Sequence, residues 1–170
     1  SCSDGMVYSR ANLTRQHEDA LTMAQRAGKK KRVKTIQAKI AHTRTDWTHK
    51  ATTDIARRAK LIVIGDVSSA KLVKTRFAKS TYDAGWGIAR HQLHYKAIRI
   101  AGVCVDGNER FSSVTCSDCG ARSGPSGLRA LGVREWCCSA CGVLHDRDVN
   151  AARNILRTGR GTPLKGILAL

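Results

Sequence analysis

Two Cys-x-x-Cys pairs, Cys116/Cys119 and Cys138/Cys141, lie eighteen residues apart, and they restrict the fold more tightly than anything else in this 170-residue chain. The spacing falls in the window of a four-thiolate zinc site. Zinc takes soft donors at tetrahedral corners, and two tight turns supply two donors each. Gly120 and Gly142 follow the second cysteine of each pair, where a tight turn favours a residue that tolerates positive φ. Cys137 sits beside Cys138, but the paired spacing selects Cys138 as the ligand. Four thiols at this spacing in so basic a chain argue against a disulfide framework. Cys2, Cys104 and Cys137 remain, and free thiols with an odd count fit a reducing compartment, so a cytoplasmic setting is expected.

The run from His145 to Leu156 reads as acidic residues leading into a short amphipathic helix, with Val149, Ala152, Ile155 and Leu156 on one face. A carboxylate in the first turn is favoured by the helix dipole, so capping explains one aspartate. Asp146 and Asp148 are two. One can cap while the other serves as a ligand for a hard metal ion.

Thirty Lys+Arg against thirteen Asp+Glu give a formal net charge of +17, the electrostatic footprint of a protein that binds a polyanion. No apolar run is long enough to span a bilayer, and no secretory signal opens the chain. Asp4-Gly5 predicts a hairpin turn leading into a strand. Between about residues 11 and 60 the chain predicts a helix up to Gly28, a basic turn, and a longer helix. Val33, Ile36, Ile40, Trp47, Ala51 and Ile55 form the apolar stripe of that second helix. Its other faces are basic, and Lys29, Lys30, Lys31, Arg32, Lys34, Arg44, Lys50, Arg57 and Arg58 are candidates for phosphate contact. His42 and His49 lack partners at ligand spacing and read as packing or phosphate-contact residues. Residues 60–66 form a short apolar run expected of a strand buried on both faces, and residues 98–105 read as the next strand. Between them, Ser80 and Asp83 open a block leading into a helix over 88–97, with Trp86, Leu93 and Tyr95 as packing residues. Lys71, Lys74, Arg76 and Lys79 make the preceding loop basic. Pro163 breaks any helix, and Leu164 to Leu170 read as a loose tail.

The ribbon cysteines, Arg134-Glu135-Trp136, and the run His145-Asp146-Arg147-Asp148-Val149-Asn150-Ala151-Ala152-Arg153-Asn154-Ile155-Leu156 resemble the C-terminal half of the TnpB nucleases. These are RNA-guided RuvC-type DNA endonucleases of insertion sequences, also called OrfB transposases and related to type V CRISPR effectors. The resemblance implies an α/β, RNase H-like (RuvC) domain with an inserted four-cysteine zinc ribbon. It divides the chain into a partial RuvC domain (1–110, with the basic helical segment 11–60), the ribbon (111–144), the final RuvC helix (145–157) and a tail (158–170). It makes Asp148 the third catalytic carboxylate and leaves Asp146 as a cap or supporting residue.

The family's usual glutamate stands where this chain has Gly65. Asp66 is expected to aim away from the site, because neighbouring strand residues face opposite ways. Fanzor proteins and some TnpB branches resemble an arrangement with the glutamate relocated before the ribbon, and here that residue is Glu109. The strand bearing the first catalytic aspartate is expected to be missing, Asp4 being a turn residue, so the chain reads as N-terminally truncated. The implied activity is metal-dependent cleavage of DNA guided by RNA, with structural zinc and catalytic magnesium, in the bacterial cytoplasm near the nucleoid, and weak or absent in this chain alone. The competing expectation is a binding module that keeps affinity for DNA or guide RNA without cleavage. A zinc-ribbon regulator without nuclease ancestry leaves the Asn-Ala-Ala-Arg-Asn-Ile block unexplained.

Overall fold

The computed structural model describes residues 1–9, 13–66, 85–127, 130 and 132–161. In chain order these form helices α1 (Leu13–Gln16), α2 (Glu18–Arg26) and α3 (Lys30–Arg58), strand β1 (Leu61–Gly65), helix α4 (Trp86–Arg99), strands β2 (Val103–Gly107), β3 (Glu135–Cys137) and β4 (Leu144–Asp146), and helix α5 (Arg147–Arg160). The α/β expectation holds among these residues. The Ser80/Asp83 block, the basic residues Lys71, Lys74, Arg76 and Lys79, and the tail from Leu164 lie outside them. The chain divides into two compact units. One comprises Ser9–Leu61 and Ser68–Val103, the other Ser1–Tyr8, Ile62–Val67 and Cys104–Leu170.

The first unit is helical. Gly28, at φ +64, ends α2 where a side chain would be strained, and the chain turns into α3. Ala24 of α2 then buries with Ile36 and Ile40 of α3, and Ala20, Leu21 and Val33 pack around them. Further along α3 the stripe departs from the expected one. Trp47, Ala51 and Ile55 are only half-buried, and the buried line runs through Thr48, Thr52 and Ala56. Threonine has the outline of valine, and its hydroxyl can be satisfied locally: Thr48 Oγ1 donates to Arg44 O at 2.8 Å. Across the contact with α4, Thr52 Oγ1 donates to Gln92 Oε1 at 2.8 Å. Lys96 Nζ donates to His49 O at 2.8 Å and to Thr52 and Thr53 Oγ1 at 2.7 Å each. Burial holds the Lys96 ammonium below its ordinary pKa.

Residues 98–101 are not strand. Helix α4 continues to Arg99, and Ala101 at φ 52 reverses the chain. Ala101 N donates to Ile98 O at 3.1 Å and Gly102 N to Ala97 O at 2.9 Å, which closes the helix end. Gly102 is required there, since a Cβ would lie 2.8 Å from Lys60 O. Ile98 is left 77% exposed, so its apolarity marked no buried strand. Leu93 is buried as expected, but Trp86 is exposed.

In the second unit β1 pairs with β2. Asp66 N donates to Gly107 O at 3.0 Å beyond the end of β1, and Val103 N donates to Lys60 O at 2.7 Å before its start, so the strands run parallel. Helix α5 packs here through small residues. A Cβ at Gly107 would lie 2.6 Å from Val63 Cγ1, and one at Gly159 would fall inside the Val63 side chain. β3 and β4 form a separate antiparallel hairpin, with Trp136 opposite His145. At Asp4-Gly5 the turn forms as expected, with Met6 N donating to Asp4 Oδ1 at 3.0 Å, but residues 6–9 form no strand.

Candidate functional site

The two cysteine turns are built alike. Cys116 N donates to Ala121 O and Gly120 N to Cys116 O, and Cys138 N to Val143 O and Gly142 N to Cys138 O, at 2.8–3.0 Å. Gly120 (φ +81) and Gly142 (φ +74) take the left-handed conformation expected of them. The knuckles bring four sulfurs within 4.8 Å of one another, with Cys116 and Cys141 3.7 Å apart and Cys119 and Cys138 3.6 Å apart. Those separations are far above a disulfide bond of about 2.05 Å. They match the edge of about 3.8 Å for a tetrahedron of thiolates around an ion bonded at about 2.3 Å. The donor set therefore fits a four-coordinate metal. Cys137 turns out of the cluster, its sulfur donating to Gly142 O at 3.3 Å.

The thiols are electrostatically unequal. The Ser123 hydroxyl 3.1 Å away, with the Cys141 and Ala140 amides working against burial, lowers Cys138 to about 6. The Val143 amide favours the Cys141 thiolate, yet burial and the three other thiols push Cys141 up to about 12. A cation held by four thiolates would displace the remaining protons, so metal binding there would be proton-linked. His145, read in the sequence only as the start of an acidic run, belongs to this centre: its buried Nε2 lies 3.0 Å from Cys116 Sγ and 3.7 Å from Asp118 Oδ2.

The first knuckle is fastened to α5. Asn150, 1% exposed, accepts from Ser117 N at 2.8 Å and donates to Thr115 O at 2.8 Å and Ser112 O at 3.2 Å. Asn154, one turn on, donates to the same two carbonyls at 2.7 and 2.9 Å, and Arg157 donates to Ser117 O. The most buried side chains of α5 are thus two asparagines, while Val149, Ala152, Ile155 and Leu156 are half-buried.

Asp146 is the N-cap of α5, its Oδ1 accepting from Val149 N at 2.8 Å. Asp148 lies in the first turn, 55% exposed, with Arg134 Nη1 3.4 Å from its Oδ2. Glu109 follows β2, and its Oε2 would lie 2.9 Å from a Cβ built on Gly65. A side chain at 65 and the Glu109 carboxylate therefore compete for one space. Asp66 does not aim away. It stands beyond the last residue of β1, where strand alternation no longer applies, and its Oδ1 accepts from Glu109 N at 3.1 Å. Burial, and then the charge of Asp66, raise the Glu109 pKa above its ordinary value. In the helical unit Lys29, Lys30, Lys31, Arg32, Lys34 and Arg57 are exposed, Lys50 and Arg58 pair with Asp46 and Asp54 one turn earlier, and Arg44 is half-buried.

A family model described as Cas12f1-like, TNB domain matches residues 86–155. A Streptomyces pristinaespiralis protein described as an RNA-guided DNA endonuclease is 37% identical over 156 residues, 88% of this chain and 38% of that protein. The Escherichia coli RNA-guided DNA endonuclease InsQ is 27% identical over 92% of this chain and 45% of its own length. The fold matches a chain in the cryo-EM structure of a Cas12f1–sgRNA–target DNA complex, with TM-score 0.67 at 17% identity over 90% of this chain and 45% of that one. The chain spans about two fifths of the length of these curated relatives. Among the described residues, no helix is long and apolar enough to cross a membrane.

Proposed function

The chain belongs to the TnpB-type family of RNA-guided DNA endonucleases, and from that premise we propose that it carries the ribbon-bearing part of a transposon-associated enzyme of this kind. In this reading its partners are DNA and a guide RNA, and its setting is the bacterial cytoplasm near the nucleoid. The domain is RuvC-type, and the four-thiolate site holds structural zinc, the ion suited to a closed tetrahedral sulfur cage. Glu109 and Asp148 act as hard oxygen ligands for magnesium. Magnesium, when bound, supplies a nucleophilic water and neutralises the charge that develops on the leaving oxygen. Asp146 fixes the start of α5 and hence the backbone that bears Asp148, and Asp66 holds the backbone of Glu109.

The observation that carries the assignment of Glu109 is the overlap between its carboxylate and the space beside Gly65, the family's usual glutamate position. A third carboxylate belongs to the family pattern, so weak cleavage or none is expected from these 170 residues alone. The test is magnesium-dependent DNA cleavage by the chain joined to its upstream coding sequence, with its flanking RNA. Glu109→Ala and Asp148→Ala should each abolish cleavage, and Gly65→Glu in the Glu109→Ala background should restore part of it. Cleavage that survives Glu109→Ala but not Asp66→Ala would move the ligand to Asp66. If nothing cleaves while RNA and DNA still bind, the binding-module reading, which the glycine at 65 favours, replaces the enzyme.

A further inference from the structure

We propose that Ser123 and His145 are paired outer donors of the four-thiolate cage, each bonding the buried sulfur of the opposite knuckle, and that the metal enters and leaves by the Cys119–Cys141 edge. This deepens the zinc reading of the cysteines, on which it rests. The four sulfurs are not equivalent: Cys116 and Cys138 are 0% and 1% exposed, whereas Cys119 and Cys141 face solvent. Four thiolates around a divalent ion leave an excess of negative charge. Water can solvate that charge at the two exposed sulfurs. The two buried residues pack with Trp136 and Ala121, so protein donors must do it there.

The chain supplies one side-chain donor to each buried sulfur. His145 Nε2 lies 3.0 Å from Cys116 Sγ, and Ser123 Oγ lies 3.1 Å from Cys138 Sγ. A metal-bound thiolate only accepts, so the hydrogen in each pair belongs to the imidazole or the hydroxyl. At Cys116 the Cys119 amide adds a longer bond, at 3.5 Å. The arrangement is reciprocal. Ser123 stands four residues after Cys119 and reaches into the second knuckle, and His145 stands four residues after Cys141 and reaches back into the first. Equivalent positions in two knuckles of like build thus brace each other's inner ligand. Trp136, opposite His145 in the β3–β4 hairpin, holds the imidazole in place, with ring centroids 4.7 Å apart. Asp118 Oδ2, 3.7 Å from the same nitrogen, is too distant to take that hydrogen from the sulfur. Cys119 and Cys141 have no such brace: among the described residues their side-chain partners are the other cysteines alone. A competing ligand must displace one thiolate first. An exposed thiolate is taken up by water as it leaves, whereas a buried one would be left charged where water does not reach.

The experiment measures the zinc affinity of the full chain at neutral pH by competition with a chromogenic chelator. Alongside it, peptide mass mapping reads the order in which iodoacetamide modifies the cysteines of the zinc-loaded parent. His145→Phe keeps a ring against Trp136 without a donor, and Ser123→Ala removes the hydroxyl; each should weaken zinc binding about tenfold. His145→Gln, which restores an N–H, should recover part of the loss. Asp118→Ala should change little, and a loss there equal to that of His145→Phe would move the bond to the carboxylate. Among the four ligands of the parent, Cys119 and Cys141 should be modified before Cys116 and Cys138. That order needs no variant, so it holds even where a substitution impairs folding. Modification first at Cys116 or Cys138 overturns the edge. Cobalt in place of zinc separates donor from ligand: absorption bands of a three-sulfur, one-nitrogen centre in the parent, lost in His145→Phe, would make His145 a ligand and overturn its role as donor. A parent that binds no zinc defeats the zinc reading as well, whereas a parent that binds it no tighter than His145→Phe and Ser123→Ala defeats this inference alone.

Discussion

At the residue scale, Glu109 sits where ionisation is resisted. Burial first, and Asp66 second, raise its carboxyl above the ordinary 4.5. A raised folded-state pKa means that its contribution to stability is fully present below the unfolded value and is lost as pH rises through the folded one. In the metal-free protein the ionised carboxylate therefore weakens the fold. Glu109→Gln keeps the shape and removes the charge, so the variant should melt higher than the parent at pH 7 in EDTA. The gap should close as pH is lowered through the raised pKa, where the parent carboxyl takes up its proton. Thermal melts of both proteins across that range check this. A variant that melts lower at pH 7 would mean that the carboxylate makes a stabilising contact, and the strain attributed to it would be wrong.

At the level of elements, α5 joins the ribbon to the strand pair, and it does so with polar groups at one end and glycine at the other. Asn150 and Asn154 share the carbonyls of Ser112 and Thr115, but only Asn150 accepts from Ser117 N. Removing Asn154 leaves both carbonyls a donor, whereas removing Asn150 strands a backbone N–H. Urea denaturation should give a loss of about 2–3 kcal/mol for Asn150→Ala and about 1 kcal/mol for Asn154→Ala. Equal losses would show that the shared carbonyls matter more than the Ser117 amide. At the other end, a methyl on Gly159 meets Val63 of β1. Gly159→Ala should cost about 1–3 kcal/mol by overpacking despite alanine's better helix propensity, and Val63→Ala in the same chain should recover part of it. A double-mutant cycle with no coupling would place the strain elsewhere. These elements also separate what the sequence could disclose from what it could not. The knuckles, Gly120 and Gly142 were legible because each is settled by neighbours within a few residues, whereas the residues alone left the cap open between Asp146 and Asp148 and the family resemblance selected Asp146. Asn150, Asn154 and the Thr52–Gln92 bond were not, because their partners lie about 30–40 residues away and polar residues leave no hydrophobic period. The Ile98–Ala101 segment misled for a related reason: a short apolar run fits a strand and a helix end equally well.

For the whole molecule, the governing quantity is the charge of +17 and where it sits. At the start of α3, Lys30, Lys31 and Arg32 are exposed, and no acidic residue lies in the first turn of the helix. Cations at a helix N-terminus face the positive end of the dipole, so this placement is not explained by helix stability. Lys50 and Arg58, by contrast, are matched by acids one turn away, and such exposed pairs contribute about 0–1 kcal/mol while muting the outward charge. Phosphate contact should therefore concentrate at the start of α3. Replacing Lys30, Lys31 and Arg32 together with alanine should lower the salt slope of single-strand binding by about 2, since each neutralised phosphate accounts for about 0.7. The melting temperature should rise or hold, because unfavourable charge–dipole contacts disappear. Replacing Lys50 and Arg58 instead should change the slope far less. Anisotropy titrations from low to physiological salt give both slopes directly, and a larger drop from the Lys50/Arg58 pair would mean that nucleic acid runs along the middle of α3 and displaces Asp46 and Asp54 from their partners.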